Sequence, residues 1–276
     1  CKKLKKMKFS NIKKNLQRFA LEQGILINKP VSSEEVKQFI YRFKNNFKSV
    51  KLLRVGGDGD GGYLMPDILQ NIDYCFSPGV DFTANFELEL SEKYNIKSFM
   101  ADASVSGPPF NNKNFSFLKK FLGNNTNKQF ITLSDWIKVS QINDSNNLIL
   151  QMDIEGSEYD VLSYEDSQTL ARFSSMIIEF HGFHNIFDKN FFRMASSIFE
   201  KIYKNFVICH VHPNNCSGLA TLNGIDVPRV FEVTFIRNDL YQKIKDNNEV
   251  FLPHKLDIRN IKTSPELRMP EIWWRK

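Results

Sequence analysis

The stretch Leu148–Glu158, LILQMDIEGSE, governs the reading of the chain. It starts as an apolar run of strand type. It then passes through Asp153 and Glu155 to Gly156 and turns at Ser157 into a helix. Burying a carboxylate without a partner is costly, and in open α/β sheets the carboxyl ends of the strands border the ligand crevice. Asp153 and Glu155 are therefore expected at the rim of an active site. The alternative is that the two acids cap the following helix through its backbone amides.

Working outward, apolar strand-like runs alternate with amphipathic segments. Upstream, Ile72–Ser77 reads as a strand, followed by Pro78-Gly79-Val80-Asp81 and a helical spacing over Phe82–Tyr94. Strand, glycine turn and helix open a nucleotide-type site. The next strand, Lys97–Met100, ends at Ala101-Asp102, and an acid at that place takes ribose hydroxyls in dinucleotide-type folds. Phe115–Leu122 is read as an apolar helix-like segment. Phe130–Leu133 is read as a short strand, with Ser134-Asp135 capping the helix around Trp136. Downstream, Tyr159–Phe173 reads as one helix and Ser175–Phe180 as a strand, whose period of two puts Glu179 and His181 on one face. Phe187–Tyr203 is amphipathic. Phe206–His212 aligns His210 with His212, and Arg229–Arg237 is its expected antiparallel partner. From Asn238 the chain reads as polar and irregular, with Trp273 and Trp274 available to dock the tail.

Ahead of these lie the helix start Ser32-Ser33-Glu34-Glu35 and the glycine-rich Gly56–Met65, GGDGDGGYLM. The latter matches neither a P-loop nor GxGxxG. It reads as a wide hairpin turn, or as backbone that lets a ligand approach closely. Strands alternating with helices predict an α/β fold with a mostly parallel sheet, helices on both faces and a closing antiparallel hairpin. Gly79, Asp102, Asp153, Glu179, His181 and His212 all fall at or just after strand carboxyl ends. That shared rim, rather than any single motif, points to an enzyme with a small-molecule site.

Composition sets wider bounds. With 276 residues, 42% hydrophobic and 25% charged, the chain is long enough for one large α/β domain. The net charge of +6 owes much to Lys2, Lys3, Lys5, Lys6, Lys8, Lys13, Lys14 and Arg18. Such a lead is a solvated, helix-prone segment, or one able to touch anionic lipid or a phosphorylated substrate. Cys1, Cys75, Cys209 and Cys216 show no zinc spacing and fit free thiols in a reducing, cytoplasmic setting, with peripheral contact at the inner membrane surface allowed. No run is long enough to span a bilayer, and no signal peptide is read. A first residue of Cys rather than Met fits a domain of a longer protein or a processed product.

The segment MDIEGSEYDVL resembles the hallmark of the FkbM-type family of S-adenosylmethionine-dependent methyltransferases. GGDGDGGYLM and CFSPGVDFTANFELEL resemble its methyltransferase-like-24 branch. The resemblance spans about Leu52–Arg237. It implies a class I, Rossmann-like fold of seven strands, with a basic helical extension over 1–48, the methyltransferase domain over 49–240 and a packed tail over 241–276. It also implies residue roles. Ser77, Gly79 and Val80 would form the turn under the methionine part of the cofactor, Asp102 would bind its ribose, and Ala103 would lie near the adenine. Asp135 would border that pocket, and Asp153 would stand beside the methyl and the acceptor. The turn reads SPGV instead of the family fold's glycine-richer pattern, and Pro78 lacks a backbone donor, so Gly61, Gly62 and Tyr63 are expected to supply the missing contact.

A hydroxyl acceptor must lose its proton as it attacks, which requires a base or a metal. The candidates are Asp153, Glu179, His181, His210 and His212. In one mechanism His181 or His212 takes the proton while Asp153 orients the acceptor. In the other, Asp153, Glu179 and one of those histidines, with His212 the first choice, hold magnesium or manganese. The implied reaction is O-methylation of a sugar, as a nucleotide sugar or a phosphate-bearing capsule- or lipopolysaccharide-type glycan. Other small oxygen nucleophiles, an NAD-type α/β enzyme and a non-catalytic binding module are the competing readings. Nucleic acid is disfavoured, because no strand surface interleaves aromatic and basic residues.

Overall fold

The structure, a computed structural model, describes residues 18–23, 30–59, 61–142, 144–246 and 248–275. The basic lead expected to be helical lies largely outside the described residues. The centre of the fold is a seven-stranded sheet. In chain order its strands are β1 Tyr74–Pro78, β2 Lys97–Ala101, β3 Phe115–Leu118, β4 Leu148–Met152, β5 Phe173–Phe180, β6 Phe206–Pro213 and β7 Phe231–Arg237. Their spatial order is β6-β7-β5-β4-β1-β2-β3. Only β7 runs antiparallel to its neighbours. This is the class I methyltransferase arrangement, doubly wound with its closing antiparallel hairpin. The strand order reverses between β1 and β4, and the crevice outside their carboxyl ends is where such sheets bind ligands.

Every residue of β4 and of β5 is buried, as expected for parallel strands covered on both faces. On one face Leu148, Leu150 and Ile178 pack under the helices Ser33–Asn45 (α1), Leu133–Val139 and Lys189–Tyr203. Ser32 and Glu35 close a reciprocal capping box at the start of α1. On the other face Ile149, Ile177 and Cys209 pack against the helix Asn85–Tyr94 and the antiparallel hairpin Leu52–Val55/Tyr63–Pro66. The glycine-rich segment is therefore the tip of a hairpin that lies on the sheet, and Thr234 Oγ1 donates to Leu64 O at 2.7 Å beneath it.

Several local expectations are corrected. Phe115–Leu118 is an edge strand pairing with β2, where the ladder to Ser98–Ala101 fixes its extended backbone. The single helix expected over Tyr159–Phe173 is two, Glu158–Tyr164 and Ser167–Ala171, since Asp166 adopts an extended backbone and caps the second. The cap of the Leu133 helix is Thr132, whose side chain accepts from Asp135 N. Asn238–Ile244 is a helix, and a hairpin, Leu219–Leu222/Ile225–Pro228, is inserted between β6 and β7. No described helix is long and apolar enough to cross a membrane.

Candidate active site

A cavity of about 650 Å³ opens at the carboxyl ends of β1, β2 and β4. Its wall starts at the bend after β1. Gly79 has φ +82°, and a Cβ there would lie 1.6 Å from the carbonyl oxygen of Asp153. Only glycine lets the end of β1 press against the end of β4. The Gly79 amide donates to Ala101 O at 3.0 Å, tying the bend to β2. At the end of β2, Asp102 is 5% exposed. Its Oδ1 accepts from the Ser104 amide (2.7 Å) and hydroxyl (2.6 Å), and its Oδ2 accepts from Asp81 N at 3.0 Å. The carboxylate is held in place while still lining the cavity.

The floor is a hydrogen-bonded chain that sequence reasoning missed. The Ser77 hydroxyl lies between the Glu87 carboxyl and Gln151 Oε1, the latter 2.6 Å away, and Gln151 Nε2 donates to the Tyr63 hydroxyl at 3.2 Å. One hydroxyl proton cannot serve two acceptors. Burial pushes the Glu87 carboxyl up, toward the neutral form that can donate to Ser77. The detectable signals were a lone Gln inside the apolar run LILQM and an acid at an inward position of its helix. The side wall carries Phe121 and Phe130, with ring centroids 5.8 Å apart. The hairpin tip reaches in through Gly61 and Tyr63. Arg54 clamps that tip by donating to Gly57 O (2.7 Å) and Gly59 O (3.0 Å). A Cβ on Gly62 would collide with Gly57 O and the Arg54 guanidinium.

At the β4 end the cavity reaches Asp153, Ile154, Glu155 and Ser157. Asp153 and Glu155 do not cap the next helix. Glu158, fully buried, accepts from the Ile154 (3.2 Å) and Gly156 (3.1 Å) amides and so closes the turn. The same Oε1 lies 3.0 Å from His181 Nδ1. That contact turns His181 Nε2 toward Asp153 Oδ1 (3.8 Å) and Glu155 Oε2 (3.5 Å). Glu179 joins them. One ligand atom each from Asp153, Glu179 and His181 lie within 4.8 Å of one another, and Asn214 Nδ2 donates to Glu179 Oε1 at 2.8 Å. Burial pushes the Asp153 carboxyl up to about 6, with a hydrogen bond to Glu179 and the charge of His181 opposing and the charges of Glu155 and Glu158 adding. Burial raises Glu179 well above the usual carboxylate range, with Asp153 and Glu232 adding. Burial pulls the His181 imidazole down, but Glu158, Asp153 and Glu155 outweigh it and raise it.

Of the residues singled out from sequence, Gly61, Tyr63, Gly79, Val80, Asp102 and Asp153 line the cavity. Ser77 lies beneath its floor. Glu179 and His181 stand behind Asp153, outside the lining. Gly62 and Ala103 are neighbours of lining residues, and Asp135 points elsewhere, bound to Thr126 at 2.6 Å and Lys138 at 3.2 Å. His212 is not brought to Asp153. It lies two strands beyond Glu179, in register with Glu232, with its Nε2 3.2 Å from Glu266 and its Nδ1 3.9 Å from Glu232. His210 pairs with Asp257 at 2.8 Å, both buried.

Residues 79–205 match the sequence model of the methyltransferase FkbM domain. Over that span the chain is similar to an FkbM-type methyltransferase domain. The matched span runs from the Gly79 bend to the end of the helix before β6, so it contains Asp102, Asp153, Glu158, Glu179 and His181. The match to a methyltransferase family implies use of S-adenosylmethionine. No curated protein matches the chain. Among solved structures, fibrillarin in complex with Nop5p is 10% identical, covering 61% of this chain and 73% of that one, with a TM-score of 0.36. A protein from an E. coli prophage, described as a candidate DNA modification methyltransferase, is 13% identical, with 67% of this chain and 52% of that one covered and a TM-score of 0.39. A Lactococcus lactis protein described as a candidate hemolysin is 10% identical, with 76% and 89% covered and a TM-score of 0.31. These distant likenesses decide nothing about chemistry.

Proposed function

We propose that the protein is an S-adenosylmethionine-dependent O-methyltransferase whose acceptor is a sugar hydroxyl, on a nucleotide sugar or a capsule- or lipopolysaccharide-type glycan. The observation that carries this reading is the continuity of the cavity. It runs from the Gly79 bend and the Asp102 carboxylate to Asp153, where Glu179 and His181 stand.

The residues fit the cofactor. A cavity of about 650 Å³ holds a nucleoside-sized ligand. Asp102, already fixed by Ser104 and Asp81, retains lone pairs for a pair of ribose hydroxyls. Phe121 and Phe130 offer an aromatic wall to a purine. The floor chain of Glu87, Ser77, Gln151 and Tyr63 presents polar groups to the amino-acid end. When bound, S-adenosylmethionine supplies an electrophilic methyl group. The chain's own part is to orient an acceptor at Asp153, to exclude water with the hairpin tip, and to help the acceptor part with its proton. A cluster of two carboxylates and an imidazole suits a neutral hydroxyl, which must be deprotonated. Its hydrogen-bond acceptors also suit a polyol. The carboxylates beside Asp153 place any phosphate of the substrate away from the transfer point.

Calorimetry on the purified chain with S-adenosylmethionine and with NAD tests the cofactor, and binding of NAD alone would end the reading. A panel of nucleotide sugars and glycans, followed by mass spectrometry, tests the acceptor. One added methyl group on a sugar oxygen is the expected product. Transfer only to nitrogen nucleophiles would overturn the O-methylation claim.

A further inference from the structure

We propose that Asp153, Glu179 and His181 form a divalent-cation site of manganese type at the acceptor end of the cavity. Its role in catalysis rests on the methyltransferase reading above; its existence does not.

The donors come from two adjacent parallel strands. Asp153 follows the end of β4, and Glu179 and His181 flank the end of β5. Their ligand atoms already lie within 4.8 Å of one another. Octahedral coordination at about 2.1–2.2 Å needs donor separations of roughly 3–4.4 Å, so rotation of side chains closes the set without moving the sheet. Each donor is also pre-aimed. Glu158 engages His181 at Nδ1 (3.0 Å), which leaves Nε2 as the free lone pair facing Asp153 and Glu155. Metal-bound histidines are held by a carboxylate on the far ring nitrogen in this way. Asn214 fixes one oxygen of Glu179 at 2.8 Å and leaves the other for the cluster. Asp153 Oδ1 is buried with no hydrogen-bond partner among the described residues. Facing Glu179, a second buried acid, it is stabilised either by a proton shared with that carboxyl or by a cation held between the two.

The donor set fixes the class of ion. Two carboxylates and one imidazole suit manganese better than calcium, which prefers oxygen alone, or structural zinc, which prefers thiolates. Asp153 joins this set to the cavity wall, where sugar oxygens would complete the coordination. A hydroxyl held there becomes a stronger acid and loses its proton to water, so His181 acts as a ligand and not as a free base. His212, the first choice from sequence, is excluded from this set by its pairing with Glu232 and Glu266.

The test uses the full chain, freed of metal, and titrates manganese while its electron paramagnetic resonance signal is followed, with S-adenosylmethionine affinity measured in parallel by calorimetry. One ion per chain is expected. Glu179→Gln and His181→Ala should each weaken it at least tenfold, and Glu158→Gln, which holds His181 and the turn after Asp153 without being a ligand, about tenfold. His212→Gln should leave it within twofold. Should Glu179→Gln fail to fold, Asp153→Asn takes its place, with circular dichroism as the check. Absence of a stoichiometric site, or a site indifferent to Glu179 and His181, overturns the proposal. Cofactor binding without manganese binding would refute the metal alone and return His181 to the role of base. Manganese binding without cofactor binding would instead refute the methyltransferase reading.

Discussion

Asp153 answers to two opposed demands. The proposed reaction needs a carboxylate facing the acceptor, while burial works against its charge and, although the hydrogen bond to Glu179 opposes it, pushes it up to about 6. Functional sites commonly carry such a stability cost. Asp153→Asn should therefore raise the melting temperature of the metal-free, ligand-free protein at pH 7.5 by about 2–4 °C, corresponding to about 1 kcal/mol for a chain of this size, while methyl transfer disappears. Differential scanning fluorimetry beside a transfer assay checks both, and a lower melting temperature would contradict the account. His212 shows the converse. Burial alone would lower its pKa, but Glu232, Asp257 and Glu266 push it up to about 9 from the ordinary 6.5. A raised folded pKa means stability fully present below about pH 6.5 and lost as pH climbs through 9. Thermal stability should fall between pH 7.5 and 10, and His212→Gln should flatten that decline. An unchanged slope in the variant would show that the pairing is not what titrates.

At the level of elements, the turn after β1 and the turn after β4 are one unit. Gly79→Ala must either adopt a strained positive φ or drive its Cβ into the Asp153 carbonyl, so it should cost at least about 2 kcal/mol in urea unfolding and abolish cofactor binding. Wild-type affinity in that variant would remove the bend from the site. Phe121 and Phe130, from the short paired strands Phe121–Leu122 and Phe130–Ile131, form the aromatic wall. Replacing both with Ala should weaken S-adenosylmethionine by about tenfold or more in calorimetry, since each aromatic face contributes about 1 kcal/mol of stacking. The strand-turn-helix rhythm here was legible because buried parallel strands are uniformly apolar. The edge strand Phe115–Leu118 was not, because four half-buried residues carry too little pattern to separate strand from helix. The site residues most open to sequence reasoning sit at strand ends. Glu87 and Gln151 were missed because a polar group inside an apolar element is recognisable as functional only once its partners are seen.

On the scale of the molecule, helix α1 and the C-terminal turn meet in one core. Trp273, with no exposed surface, packs edge-on against Phe39 and Phe43 of α1 and beside Phe183 and Phe231, and its indole donates to Asp226 O at 3.0 Å. Trp273→Ala should cost about 3–5 kcal/mol and still give a single unfolding transition. Two resolved transitions would show that the C-terminal turn folds separately from the sheet. The C-terminal segment also supplies Asp257 and Glu266 to the histidines of β6, so a tail that reads as irregular is tied to the sheet at several points.

The linear order of residues was enough to settle the α/β class, the run of sheet strands and the placing of Gly79, Asp102, Asp153 and Glu179 on one rim. Those properties follow from hydrophobic periodicity and from the direction of parallel strands, both of which are local. It could not settle which histidine joins Asp153. His181 and His212 both close a strand and both face the same side, and only the register across β5, β7 and β6 reveals that one lies beside Asp153 while the other is held two strands away by Glu232 and Glu266. Proximity across a sheet depends on strand order and pairing, which no single segment encodes.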